Sequence, residues 1–298
     1  MWRSGPRQRD HHCMRILSIL VRHGVERYPH AEQEIAAIFA SQLRDVERDV
    51  MVVDNALPAE TVSRDGARTL IGGDNRVREF TGFDRALGYA GVDLNAYDFV
   101  HFATSAFNTL YTSYLERFTP AVLRAAAGRP ICLGHVDCYN EPVRVGRYTS
   151  QHWVRSCFFF LPPAMVRALD SFVSEADGRR FFSGDPTSPF LADAPISPRY
   201  QRYIIDWLTG SDVGQGVTWH SRLALTPEGL VGFEQKALCI LNEQMLGVRL
   251  RALGCPLVDV TWLSTRTGAV ASGAALWHTP WVEQLASRDR DAITLAIP

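Results

Sequence analysis

An α/β protein is what the sequence predicts: a mostly parallel sheet flanked by helices, with a helical elaboration toward the C-terminus. Three observations lead there. Short β-branched runs, such as those around Ile16–Val21 and Val50–Val53, alternate with segments of helical period. The first run is mostly apolar, as suits a strand covered on both faces. The runs also end abruptly in polar or glycine-rich turns. These are Asp54-Asn55, Gly72-Gly73-Asp74-Asn75 and Ala103-Thr104-Ser105-Ala106. Open parallel sheets bind ligands beyond such strand ends.

Taken in order, residues 15–22 are expected as a first strand ending at His23-Gly24. A helix after Pro29 follows, with Ile35, Ile38, Phe39, Leu43 and Val46 on one face. Val50–Val53 is the second strand, completing a right-handed βαβ unit. Thr69–Ile71 is a third, short strand. Residues 76–89 read as a helix with Phe80, Phe83 and Leu87 inward. Residues 97–102 form a fourth strand, 115–127 a helix, and 130–134 a fifth strand. Beyond it come a long strand at 151–161, a short helix at 165–173 and a Gly/Pro/Ser/Asp-rich loop at 178–200. Helices are expected at 200–208 and 230–253, and a last strand at 256–263.

Composition sets limits. With 298 residues, 46% apolar and 21% charged, the chain can bury a large core without disulfide or metal staples. A net charge of -1, mixed in sign along the chain, makes no electrostatic case for nucleic acid. Six cysteines without a CxxC pair read as free, buried thiols in a reducing compartment. A zinc grouping of Cys132, His135, Asp137 and Cys138 lacks a standard ligand spacing. No run reaches the ~18 apolar residues of a membrane helix. Residues 1–13 are basic and lack a signal-peptide core, so they read as a leader or an over-called start. A single domain, 14–298, is expected to follow. It is expected to divide into two halves, about 14–134 and about 135–298. The expected location is the cytoplasm, with peripheral association at the inner face of a membrane left open.

Three patches resemble one family. Val52-Val53-Asp54-Asn55 resembles the turn after the second strand of the GT-A-fold, Rossmann-related glycosyltransferases of family 2. Asn75 and the helix after it resemble the segment beneath the sugar donor there. Asn242-Glu243 through Arg249 to Gly254 resembles the family's long helix, with Glu243 at the position of the catalytic base. The middle of the chain, with Trp153–Leu161, is similar to transferases of rhamnan and O-antigen synthesis. The resemblance implies a nucleotide-sugar donor and a glycan or lipid-linked acceptor. One departure stands out. Where the family carries Asp-x-Asp for a divalent cation, this chain has Ala103-Thr104-Ser105-Ala106, and hydroxyls do not replace the anionic oxygens Mg²⁺ or Mn²⁺ prefer. No metal and no cofactor are therefore expected.

The candidate residues follow. Glu243 is the expected base; as a plain solvated helix residue it would carry no such role. Asp54, Asn55, Asp74, Asn75, Arg76, Thr104 and Ser105 are expected at the donor, although Asp54 and the Gly-Asp-Asn turn would also serve as ordinary turn residues. His135, Asp137, His152 and Trp153 are expected at the acceptor. Arg78, His101, Trp219-His220 and Trp277-His278 are lesser candidates. A non-catalytic module that binds nucleotide or glycan remains the alternative. An NAD or S-adenosylmethionine enzyme is disfavoured because no G-x-G-x-x-G follows the first strand.

Overall fold

The computed structural model describes residues 13–89, 92–109, 112–210, 222–267 and 274–288. β1 (Met14–Arg22) leads through α1 (Ala31–Gln42) to β2 (Val46–Asp54), and β3 (Val62–Asp65) turns into β4 (Arg68–Gly72). α2 (Glu79–Leu87) and β5 (Phe99–Thr104) follow. β1, α1, β2, β4, α2 and β5 lie close to where the sequence suggests. α3 (Pro120–Ala126) precedes a long hairpin, β6 (Cys132–Val145) and β7 (Tyr148–Leu161). Then come α4 (Pro163–Leu169), α5 (Pro198–Thr209), α6 (Pro227–Ala252), β8 (Leu257–Asp259), α7 (Val260–Ser264) and α8 (Trp281–Ala286). Trp219-His220 and nearly all of the expected leader lie outside the described residues.

One eight-stranded sheet runs through the molecule in the order β3-β4-β2-β1-β5-β7-β6-β8. The β4-β2-β1-β5 block is parallel. The hairpin then enters antiparallel, against β5 and within itself, and β8 joins β6 in parallel. The sheet is thus mixed beyond β5. The half boundary expected near 134/135 falls inside β6.

Alternating strand residues divide the core. Leu17, Ile19 and Val21 pack with α2, α5 and α6. Ile16 and Leu20 face α1, α3 and α7. α6 begins at Thr226, whose hydroxyl accepts from Gly229 N at 3.2 Å, and has Pro227 in its first turn. It stops at Gly254, whose φ of 74° only glycine adopts without strain. Among the described residues no helix is long and apolar enough to cross a membrane.

Three expectations need correction. The helix expected from Leu115 begins at Pro120, because Thr119 caps it by accepting from Val122 N; residues 113–117 form a 3-10 turn. The last strand stops at Asp259, whose carboxylate caps α7 through Trp262 N at 2.9 Å. The fifth strand does not end at Gly134 but continues to Val145. The 178–200 segment is a loop as expected, apart from a 3-10 turn at Gly178–Arg180 and the start of α5, and it buries Phe181, Phe182, Phe190 and Ile196 in the core. The β3–β4 hairpin went unforeseen, although Asp65-Gly66, with φ of 56° at the glycine, is a hairpin signal.

Two glycines test this packing in opposite directions. A Cβ on Gly72 would collide with the backbone carbonyl of Pro58, whereas one on Gly232 in α6 meets open space. Gly72→Ala should lower stability by about 2 kcal/mol. Gly232→Ala should raise it by about 0.5 to 1 kcal/mol through the helix propensity gained. Urea unfolding of the two variants reads both.

Candidate functional site

The parallel block fixes where a ligand can sit. From β1 the chain winds outward one way to β2 and β4, and the other way to β5. The crevice between the carboxyl ends of β1 and β5 is therefore the topological switch point, the usual ligand position in such sheets. Thr104 ends β5 there, and Ser105 N donates to Val21 O at 3.0 Å across the crevice. β7 pairs with β5 only from Phe158 to Leu161. The rest of the β6–β7 hairpin therefore overshoots the edge and stands as a wall above it. α5 and α6 close the other side. The result is a cavity of about 390 Å³ whose lining includes Thr104, Asp137, Trp153, Ser156 and Glu243.

Glu243 is the best-defined polar group in it. Its Oε1 accepts from Ser156 N at 2.7 Å and from Ser156 Oγ at 2.8 Å. Burial pushes its carboxyl up to about 7, the Ser156 bonds pull the other way, and the Glu79 and Asp137 carboxylates add to the rise. Glu79 also lines the cavity from the start of α2. Its carboxyl is raised by burial, against opposing pulls that include Arg78, the Ser156 hydroxyl and Lys236. A carboxyl that titrates near neutrality is suited to take a proton from an attacking hydroxyl.

The opposite wall is aromatic. Trp153 stacks on Tyr139 at 4.2 Å between ring centroids, and Tyr203 meets Tyr139 edge-on at 4.6 Å. Trp207 lies parallel to Tyr203, further out. Below this wall Asp137 is held by Arg155 at 2.5 Å and by His135 at 3.2 Å. Burial works against its ionised form, yet Arg155 and then His135 hold it far below the usual carboxylate range. Behind His135 stand Asp259 and Arg288, themselves paired at 3.1 Å.

The predicted residues separate by position. Thr104, Asp137, Trp153 and Glu243 meet in the cavity. Ser105 sits at its edge, and His135 supports Asp137 from behind. Asp54 is 3% exposed, and its carboxylate accepts from Gly24 N, Ala56 N and Arg22 Nε at 2.8 to 3.0 Å. It ties the ends of β1 and β2 together. Asn55 Nδ2 donates to Arg78 O at 3.0 Å and to Asn75 Oδ1 at 3.3 Å, so Asn55 and Asn75 shape the approach to α2. Asp74 and Arg76, paired at 2.7 Å, line a neighbouring cleft rather than the cavity. His152 does not reach the cavity; it stacks on Trp281 and bonds Arg251 at 3.1 Å. His101 is fully buried against Phe39, Phe158 and Phe160, and His278 is exposed away from the cavity.

No family model and no curated protein matches the chain. Among solved structures it is similar to the mannosyltransferase PcManGT from Pyrobaculum calidifontis, solved in complex with GDP-Man and Mn²⁺. The match covers 94% of this chain and 82% of that one, at 13% identity and a TM-score of 0.31. A likeness this slight carries no argument about the fold or the site. Among the described residues, no three His, Cys, Asp or Glu side chains come together in a way that could hold a metal ion, and the six cysteines are free.

Several lining residues were missed in the sequence: Glu79, Tyr139, Ser156, Tyr203 and Lys236. A usable signal existed on α6. Lys236, Cys239, Ile240 and Glu243 recur at i, i+3, i+4 and i+7, one helical face, and all four line the cavity. Tyr203 and Trp207 repeat the same spacing on α5.

Linkage gives a test of the Glu243 environment. Its carboxyl titrates near 7 in the folded chain and near ~4.3 when unfolded. The unfolded chain thus loses this proton first, and the stability tied to it is full below pH ~4 and lost as pH rises through 7. Glu243→Gln removes that dependence. The variant should gain on the wild type between pH 5 and pH 8, by on the order of 1 kcal/mol once screening by cavity water is allowed for. Thermal melts at the two pH values check it.

Proposed function

We propose that the chain transfers a sugar from a nucleotide-sugar donor to a hydroxyl of a glycan or lipid-linked acceptor, with inversion at the anomeric carbon. The observation that carries this reading is Glu243. It lies in a half-closed cavity at the switch point, fixed by two donors from Ser156 and poised near neutral pH. The resemblance of residues 242–254 to the family's catalytic helix supports the same role. The aromatic wall of Tyr139, Trp153, Tyr203 and Trp207 supports a sugar ligand, because flat rings match the apolar faces of pyranoses.

In the proposed reaction the acceptor oxygen attacks the anomeric carbon while its proton passes to the Glu243 carboxylate. The bond from that carbon to the donor diphosphate breaks, and the nucleoside diphosphate leaves with the electron pair. Thr104 borders the space this leaving group would occupy. Asp54, Asn55 and Asn75 act from beneath by holding the loops that frame it, and Trp153 offers the acceptor a stacking surface. The family's cation position carries only the Thr104 and Ser105 hydroxyls, so no step is assigned to a metal. Bacterial surface-polysaccharide assembly is the setting to which the resemblance points.

A second reading has its own support. The stacked wall, with Asp137 already tied to Arg155, would also suit a module that binds glycan or nucleotide without turnover. Transfer assays with a panel of UDP-, GDP-, dTDP- and CDP-sugars separate the two. Glu243→Gln should cut transfer by about 100-fold or more while leaving nucleoside diphosphate affinity within a few-fold, and wild-type transfer should persist in excess EDTA. Full turnover by the variant would remove Glu243 from the mechanism; binding without turnover by the wild type would favour the module.

A further inference from the structure

Two cations enter the cavity from different elements: Arg78, in the segment after Asn75, and Lys236, on α6 ahead of the Glu243 patch. Arg78 stands immediately before α2, and its φ of 47° is a conformation that L-residues rarely adopt. The Asn55 bond to its carbonyl helps hold it there. Its Nε is buried with no hydrogen-bond partner among the described residues, so a donor next to the cavity goes unused. An unmet buried donor is costly, and one that persists at a cavity wall points to a ligand that meets it. Lys236 lies two turns before Glu243 on the same face of α6. Burial, and then Arg78 and Arg27, depress its ammonium to about 8, while Cys239 and Glu79 act in the opposite direction. Both side chains line the same half-closed space, and like charges sharing such a space form an arrangement that an anion relieves.

The neighbouring cleft, of about 470 Å³, does not offer the same. Its Arg76 is paired with Asp74. Its Arg85 donates to Ala59 O at 2.7 Å and to Gly72 O at 3.4 Å. Its Asp84 accepts from Phe172 N and Ser171 Oγ, both at 2.6 Å. Among the described residues, none of its lining side chains carries a buried polar atom without a hydrogen-bond partner.

We propose that Arg78 and Lys236 form a two-cation clamp for a diphosphate, seating the donor's phosphates in the cavity beside Thr104 and not in the Asp74–Arg76 cleft. This rests on the transferase reading and adds to it the groups that hold the leaving group. The clamp needs no divalent ion, because two side-chain cations meet the diphosphate charge directly. Glu79 and Glu243 share the cavity with these cations.

The test is calorimetric titration of the full chain in excess EDTA, with inorganic pyrophosphate alone and, separately, with UDP, GDP, dTDP and CDP. The wild type should bind pyrophosphate and at least one nucleoside diphosphate. Lys236→Met and Arg78→Met should each weaken pyrophosphate by about tenfold or more. Lys236→Arg should keep most of the affinity, which guards against a loss due only to misfolding, and circular-dichroism melts confirm folding of each variant. Pyrophosphate binding that depends on Lys236, with no nucleotide bound, leaves the clamp standing and removes the nucleotide-sugar reading. Nucleotide binding that falls in Arg76→Met and not in Lys236→Met overturns the clamp and keeps the donor reading. Binding of neither pyrophosphate nor nucleotide overturns the clamp.

Discussion

One serine holds the site together. Ser156 presents its amide and its hydroxyl to a single oxygen of Glu243, which lies 87 residues further along the chain. A carboxyl group in a partly dry cavity needs such donors or it is expelled toward water. The pair therefore sets how α6 is rotated against the hairpin. Because α6 is a rigid 26-residue helix, placing Glu243 also places Ile240, Cys239 and Lys236 on the cavity side. The aromatic wall on the hairpin and the charged face on the helix confront each other for this reason.

The rim at the carboxyl ends of β1, β2 and β4 works mainly by tension among its loops. Asp54 is saturated by three donors, two of them from the segments that leave β1 and β2. Asn55 reaches across to the residue before α2. The rim therefore acts on the cavity through backbone position: it decides where Arg78 and Glu79 stand. Gly73 fits the same picture, since a Cβ there would run into the Asn55 carboxamide.

Much of the architecture was legible in the chain. Period-2 and period-3.6 patterns located β1, β2, β5, α1, α2 and α6, because these elements bury one face or two against a large core. What the chain concealed depended on side chains overriding local propensity. Asp259 sits in a β-branched run that reads as strand, yet its carboxylate caps a helix. The continuation of β6 past Gly134 is broken by register slips between Gly134 and Val136 and between Cys138 and Val143, so its alternation is lost to a linear reading. Of the site, Glu243, Thr104, Trp153 and Asp137 were visible as motif or strand-end residues. Glu79 and Lys236 were not, because each becomes part of the site only when two helices distant in sequence are brought together.

The hairpin also bears on the order in which the molecule is made. β6 and β7 are joined through the two-residue turn Gly146-Arg147, so their pairing is local and can form as soon as both have been synthesised. The helices that cover their aromatic face come much later, α5 from Pro198 and α6 from Pro227. A growing chain therefore carries Tyr139 and Trp153 uncovered across some 50 to 80 residues of further synthesis. During that interval the nascent protein presents an uncovered aromatic ribbon, the kind of surface that promotes self-association.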